Sequence, residues 1–179
     1  MDAEKIIKEI EVDLAANSQN AETEIINQAK KKGDDFEKFV AQKFPKKYYT
    51  IKEWAGDKYI NGVYAETTTN PDLVMELKLE KFTKTFAVEC KWRKSFSNDK
   101  VSFASKRNLE NYKNFQNKKN IPVFITLGIG GEPSSPDQLY ILPLNDIHSG
   151  SISQDDLKQY RRYKIEKDFY YDIKKKELR

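Results

Sequence analysis

One cysteine and one histidine among 179 residues leave no material for an intrachain disulfide or a Cys/His zinc cluster. Long apolar runs are missing too. None approaches the roughly 20 residues needed to span a bilayer, so no membrane partner is expected. The acidic first residues lack the basic start and apolar middle of a secretory signal, and a cytoplasmic protein is the expectation. Glycine is scarce, with seven in the chain. Where it clusters, at Gly128-Ile129-Gly130-Gly131, neither Gly-Lys-Ser nor Gly-Lys-Thr follows and a proline-rich loop comes next, which argues against a nucleotide phosphate loop. The lone His148 lies among Ser, Gly and Asp and reads as a solvated loop residue.

What is present is charge and aromatic carbon. Charged residues make up 34% of the chain, which is polar for a folded domain, but ten Tyr, ten Phe and two Trp supply a core and argue against disorder. A chain of this length holds one domain of ordinary size with room for an extension. The formal net charge of +4 implies little beyond solubility, yet its distribution is uneven. Met1–Glu24 carries seven acids against Lys5 and Lys8, a balance of −5. Lys78–Lys119 carries twelve bases against four acids, a balance of +8. A positive stretch of that kind can neutralise a phosphate backbone, or it can be an ordinary solvated surface.

Residues 1–32 read as a helical N-terminal extension, with Ile6, Ile7, Ile10, Leu14, Ile25, Ile26 and Ala29 at helical spacing and a polar break at Asn17–Asn20. Its narrow apolar stripe suits docking on the domain, a partner contact or pairing of two copies as a homodimer, or the end of a segment of a longer protein. Residues 33–179 form the main domain. Gly33 punctuates, and a second helix from Asp34 to Phe44 buries Phe36, Phe39, Val40 and Phe44, with Glu37 at the edge of that face. Strands are predicted at Tyr48–Trp54, Pro71–Leu79, Thr85–Arg93, Ile121–Leu127 and Gln138–Leu144, with an edge strand at Phe169–Ile173. Ala55–Asn70 reads as a loop, Val101–Lys119 as a helix with a basic exterior, and Asp155–Tyr163 as a short helix. The turn at Lys81–Lys84 makes its flanking strands antiparallel neighbours, while strand–helix–strand from Thr85 to Leu127 suits a parallel crossover. The fold class is therefore α/β, a central mixed sheet flanked by helices.

Two of these strands carry charge where a core strand should not. Asp72 stands at the start of one, and Glu89 and Lys91 stand near the end of the other. Strand side chains alternate, so Glu89 and Lys91 share a face while Val88, Cys90 and Trp92 take the other. Antiparallel pairing brings Asp72 beside them. Buried charges need partners or a metal, and two carboxylates beside an ammonium suit a hard divalent cation and a reacting water. The bland alternative is a turn aspartate next to an exposed Glu–Lys pair on a half-solvated sheet.

The order of these features, a helix with Glu37, a strand, Pro71-Asp72, Glu89-Cys90-Lys91, a basic helix and another strand, resembles the PD-(D/E)XK nuclease superfamily, of restriction-endonuclease-like fold, over roughly Asp34–Leu144. The resemblance implies that Asp72 and Glu89 bind the metal with the backbone carbonyl of Cys90, and that Lys91 orients or deprotonates the attacking water or stabilises charge on the phosphate. It implies that Glu37 matches the acid of the family's first helix, which joins the metal site in some members, often through water. The cofactor would be Mg²⁺, with Mn²⁺ as substitute, and the partner a nucleic acid, expected to be DNA. Lys94, Lys100, Lys106, Arg107 and Lys113 would then contact the sugar-phosphate backbone. The implied activity is endonuclease-like hydrolysis of phosphodiester bonds by a Mg²⁺-activated water. Two other readings stay open: a catalytically inactive nucleic-acid-binding module of the same fold, and an interaction domain acting through its acidic N-terminal helices.

Overall fold

In the computed structural model of the protein, the residues described are 3–55, 59–60, 63–64 and 70–179. The chain divides into two compact units, Met1–Lys32 and Gly33–Arg179. Helix α1 is assigned over Ala3–Gln42. The break expected at Asn17–Asn20 and the stop expected at Gly33 both fall inside it. A single helical glycine costs only about 1 kcal/mol against alanine, and Gly33 has open space around it, so neither packing nor strain forces an interruption there. Within the first unit, Ile25 and Ile26 are exposed.

The second unit is built on a five-stranded mixed sheet, which bears out the expected fold class. Its strands are β1 (Tyr49–Trp54), β4 (Leu73–Leu79), β5 (Phe82–Arg93), β7 (Val123–Ile129) and β8 (Gln138–Pro143), in the order β1-β4-β5-β7-β8. Between the first two, β2 (Tyr59–Ile60) and β3 (Val63–Tyr64) form a small pair inside the stretch expected to be loop; the rest of residues 56–69 lies outside the described residues. The β4–β5 hairpin turns on Glu80–Lys81 alone, tighter than the turn expected at Lys81–Lys84, because Phe82 already pairs with Leu79. β5 and β7 run parallel, joined through β6 (Lys100–Ser102) and helix α2 (Lys106–Lys119), so the crossover is as the spacing requires.

Helix α2 starts five residues later than its periodicity suggested. Ser105 accepts from the Asn108 N–H at 3.1 Å as its cap, and the preceding Lys100–Ser102 pairs with β9 (Ser151–Ser153) instead. Asn120, at φ 52°, closes the helix in the left-handed conformation. After β9 come a four-residue helix, α3 (Gln154–Leu157), and a 3₁₀ turn, Lys158–Tyr160. The edge strand expected at Phe169–Ile173 is not part of the central sheet. Tyr171–Asp172 (β10) pairs with Glu177–Leu178 (β11), and Phe169 and Tyr171 pack into the core from outside it.

Each face of the sheet has its own core. Phe36, Val40 and Phe44 cover Met75, Phe86, Val88 and Phe124 on one side, while Leu109, Tyr112 and Phe115 of α2 cover Val74, Ala87, Ile125 and Leu127 on the other. The Phe36 ring lies so close to the sheet that a Cβ on Gly128 would sit 2.5 Å from it. Gly128 is thus a strand glycine that admits a ring, not part of a phosphate loop. Beyond it Gly130 and Gly131 take positive φ at the turn leaving β7. His148 is exposed, as expected. No helix among the described residues is long and apolar enough to cross a membrane.

Candidate metal and phosphodiester site

The charged residues of the paired strands meet at one end of the sheet. Leu73 lies opposite Val88, so Asp72 stands immediately before β4 where Glu89 continues β5. Asp72 and Glu89 are each 2% exposed. The Cys90 backbone N–H donates to Asp72 Oδ2 at 2.8 Å, which ties the start of β4 to the end of β5. Charge-assisted bonds of this kind fix a carboxylate's position as well as stabilising it. The alternation of β5 does the rest: Cys90 points into the core with Phe36 and Val88, while Glu89 faces α2.

Glu89 is the most constrained group in the site. Its Oε1 accepts from the Tyr112 hydroxyl at 2.5 Å and pairs with Lys91 Nζ. Its main-chain carbonyl accepts from Thr126 Oγ1 at 3.1 Å. Its Oε2 is buried without a hydrogen-bond partner. Burial, and then the Asp72 charge, push the Glu89 carboxyl up to about 7, against the pull of Lys91 and the two hydrogen bonds. Burial pushes the Lys91 ammonium down, but the charges of Glu89 and Asp72 outweigh it and hold the group above its ordinary value. Lys91 is therefore a cation, with 23% of its side chain still open to solvent.

Glu37 reaches the same end of the sheet from α1. It is 8% exposed, and its Oε2 accepts from the Trp54 indole N–H at 3.0 Å. The Cys90 thiol is raised by burial first, and then by the charges of Asp72, Glu37 and Glu89, so the fields of all three acids converge on that core position. Among the described residues no three His, Cys, Asp or Glu side chains are close enough to form a metal cage together. Asp72 and Glu89 are the pair near enough for the charge of one to raise the carboxyl of the other, and a hard cation such as Mg²⁺ needs only one or two carboxylates because it keeps several waters. An orphaned, buried carboxylate oxygen beside a second carboxylate fits that donor set.

Of the bases expected to contact a phosphate backbone, Lys94, Lys100, Lys106 and Arg107 are exposed and Lys113 is partly buried. Lys94 directly follows β5. Lys106 and Arg107 open α2, whose N-terminus lies at the site's end of the sheet because the helix runs back against β5 and β7. That end also presents the positive pole of the helix dipole.

Sequence periodicity assigns Tyr112 to the buried stripe of α2 without giving it a task. The available signal is chemical: a buried tyrosine hydroxyl needs a partner, and no other polar residue is buried on that face of β5. Trp54 carries no such signal, since its contact with Glu37 spans two elements.

No protein-family model and no curated protein matches the chain. Among solved structures, a Holliday junction resolvase, Hjc, of the archaeal hyperthermophile Archaeoglobus fulgidus, determined at 1.6 Å resolution, is similar at 15% identity, covering 56% of this chain and 75% of that one, with a TM-score of 0.39. The functional reading therefore rests on this chain's own side chains.

Proposed function

We propose that the protein is a metal-dependent nuclease of the PD-(D/E)XK superfamily that hydrolyses phosphodiester bonds in DNA. The observation that carries the reading is Glu89 Oε2, a buried carboxylate oxygen with no hydrogen bond, beside Asp72 and Lys91. A fold gains nothing from such an oxygen, since burial without a partner costs about 1 to 3 kcal/mol or more. A cation removes that cost.

Asp72 and Glu89 would hold Mg²⁺ or Mn²⁺, with the Cys90 carbonyl as a third donor and Glu37 reaching it through water. The ion, when bound, supplies Lewis acidity: it neutralises the phosphate and acidifies a water. Lys91 contributes a fixed positive charge where negative charge grows on the phosphate, and its open edge lets substrate reach it. Tyr112 keeps Glu89 Oε1 occupied, so that Oε2 is the oxygen offered. Lys94, Lys100, Lys106, Arg107 and Lys113 position the sugar-phosphate backbone without reading its sequence.

The test is cleavage of plasmid and short duplex DNA with Mg²⁺, Mn²⁺ or EDTA, for the wild type and for Asp72→Asn and Lys91→Ala. The expected result is metal-dependent cleavage lost in both variants while DNA binding is kept. Full activity in either variant would sink the assignment. Binding that falls steeply with salt, with no metal restoring cleavage, would support the inactive nucleic-acid-binding module instead.

A further inference from the structure

The far edge of the central sheet carries a second cluster that the site above does not use. After α3 the chain folds back along β8: Arg161 bridges Tyr140, and the Arg162 N–H donates to the Leu139 carbonyl at 2.8 Å. The segment reads Tyr160-Arg161-Arg162-Tyr163-Lys164. It borders an open cavity of about 580 Å³ that five bases line against two acids, Asp146 and Glu177.

Two details separate this cluster from a solvated basic loop. The Tyr163 ring is 77% exposed, so the fold gains little from it, and the Arg161 guanidinium lies 5.3 Å from its centroid. Exposed rings flanked by arginine are what nucleobases stack on, and every base has a π-face. Arg162 holds the segment in place. Its Nη2 donates to the Asp168 carbonyl at 2.7 Å and its guanidinium lies 5.4 Å from the centroid of the buried Phe169 ring, so the Arg161–Tyr163 pair is carried on an anchored backbone.

The sheet fixes where this surface stands relative to the candidate site. Lys91 pairs with Leu127, Leu127 with Tyr140, and Tyr140 with Arg161, so one row crosses from the site to the cluster. Three spacings of about 4.8 Å separate the Lys91 and Arg161 backbones by about 14 Å. That is a span of a few nucleotides.

We propose that this edge is a docking site for an unpaired nucleic-acid strand, with Tyr163 stacking a base and Arg161 and Lys164 holding the phosphates beside it. The inference rests on the phosphodiesterase reading of the neighbouring site and narrows its substrate to one with a single-stranded segment a few nucleotides from the scissile bond.

The experiment measures binding in the full chain, without metal and in an Asp72→Asn background, using fluorescence anisotropy of labelled oligo-dT, an abasic oligomer of equal length and a blunt duplex. Tyr163→Ala is expected to weaken oligo-dT binding by about 5- to 100-fold. Tyr163→Phe, which keeps the ring, is expected to bind like the parent. The abasic oligomer and the duplex are expected to be indifferent to Tyr163→Ala, whereas Arg161→Ala with Lys164→Ala weakens both single strands and lowers the salt slope by about 1.4. Unchanged oligo-dT affinity in Tyr163→Ala, or an equal loss on the abasic strand, overturns the proposal. The expected pattern together with no cleavage by the parent chain, Asp72 intact and Mg²⁺ or Mn²⁺ present, keeps this docking site and loses the nuclease reading; cleavage by that parent with no effect of Tyr163→Ala on binding does the reverse. Because Tyr163 is exposed, its variants are expected to melt with the parent.

Discussion

The Tyr112 hydroxyl donates to Glu89 Oε1 at 2.5 Å, while Glu89 Oε2 is left without a hydrogen bond. A helix that opens with Lys106 and Arg107 is thereby tied, two turns further on, to the carboxylate at the centre of the candidate site. The bond divides the two oxygens, one held by the protein and one offered. Burial first, and the Glu89 charge next, keep the phenol protonated far above neutral pH, so it remains a donor at every pH of interest.

Tyr112→Phe should accordingly leave the ring packing intact and release Oε1. Loss of such an outer partner typically weakens metal binding by about 10- to 100-fold. Calorimetric titration with Mn²⁺ should show that loss, with a stability decrease of only about 1 kcal/mol. Unchanged Mn²⁺ affinity would mean that Lys91 alone orients Glu89.

Glu89 also makes the metal-free fold sensitive to pH. Its folded pKa of about 7 lies above the ordinary 4.5, so between those values the folded state binds more protons than the unfolded one. Stability from this group is therefore full below about pH 4.5, falls as pH rises through 7, and is flat above. Urea unfolding in EDTA should show that decline in the wild type and its absence in Glu89→Gln. An identical decline in the variant would assign it to another group.

Much of this was legible beforehand. The alternation of Val88, Glu89, Cys90, Lys91 and Trp92 fixed which residues share a face, and a hairpin is the only way two strands so closely spaced can pair. Those two facts bring Asp72 to Glu89. The helix ends were less legible, because Gly33 is tolerated inside α1 and because Lys100–Ser102 pairs with Ser151–Ser153, fifty residues away. The same limit hid Tyr112, Trp54 and the Arg161–Tyr163 cluster, whose roles depend on partners distant in sequence that no local period encodes.

Gly128 offers a test of how α1 meets the sheet within the main domain. Its missing side chain admits the Phe36 ring, and a Cβ would meet that ring at 2.5 Å. Gly128→Ala should destabilise by about 1 to 3 kcal/mol through overpacking. Combined with Phe36→Leu, which opens space, the two losses should add to less than their sum, a coupling readable from a double-mutant cycle. Strict additivity would mean that the sheet, and not the ring, absorbs the new methyl.

Lys91 separates the structural and chemical demands on the site. Its ammonium is the counter-charge for a carboxylate that is 2% exposed and has a second carboxylate beside it. Removing one partner of a buried pair commonly costs about 3 to 5 kcal/mol, because the remaining charge stays uncompensated. In Lys91→Ala that cost should apply at pH 8, where Glu89 is ionised in the parent and in the variant must either stay uncompensated or take up a proton, and should shrink below pH 6, where Glu89 is protonated in both. Thermal melts in EDTA at the two pH values measure the difference. Divalent metal should recover part of the loss at pH 8, since a bound cation replaces the missing charge. It should not recover cleavage, for which the loss of one such positive group is expected to cost about 100- to 1,000-fold. Stability rescued by metal while the rate stays low is the signature of a lysine that serves the reaction; equal recovery of both would make Lys91 a counter-ion only.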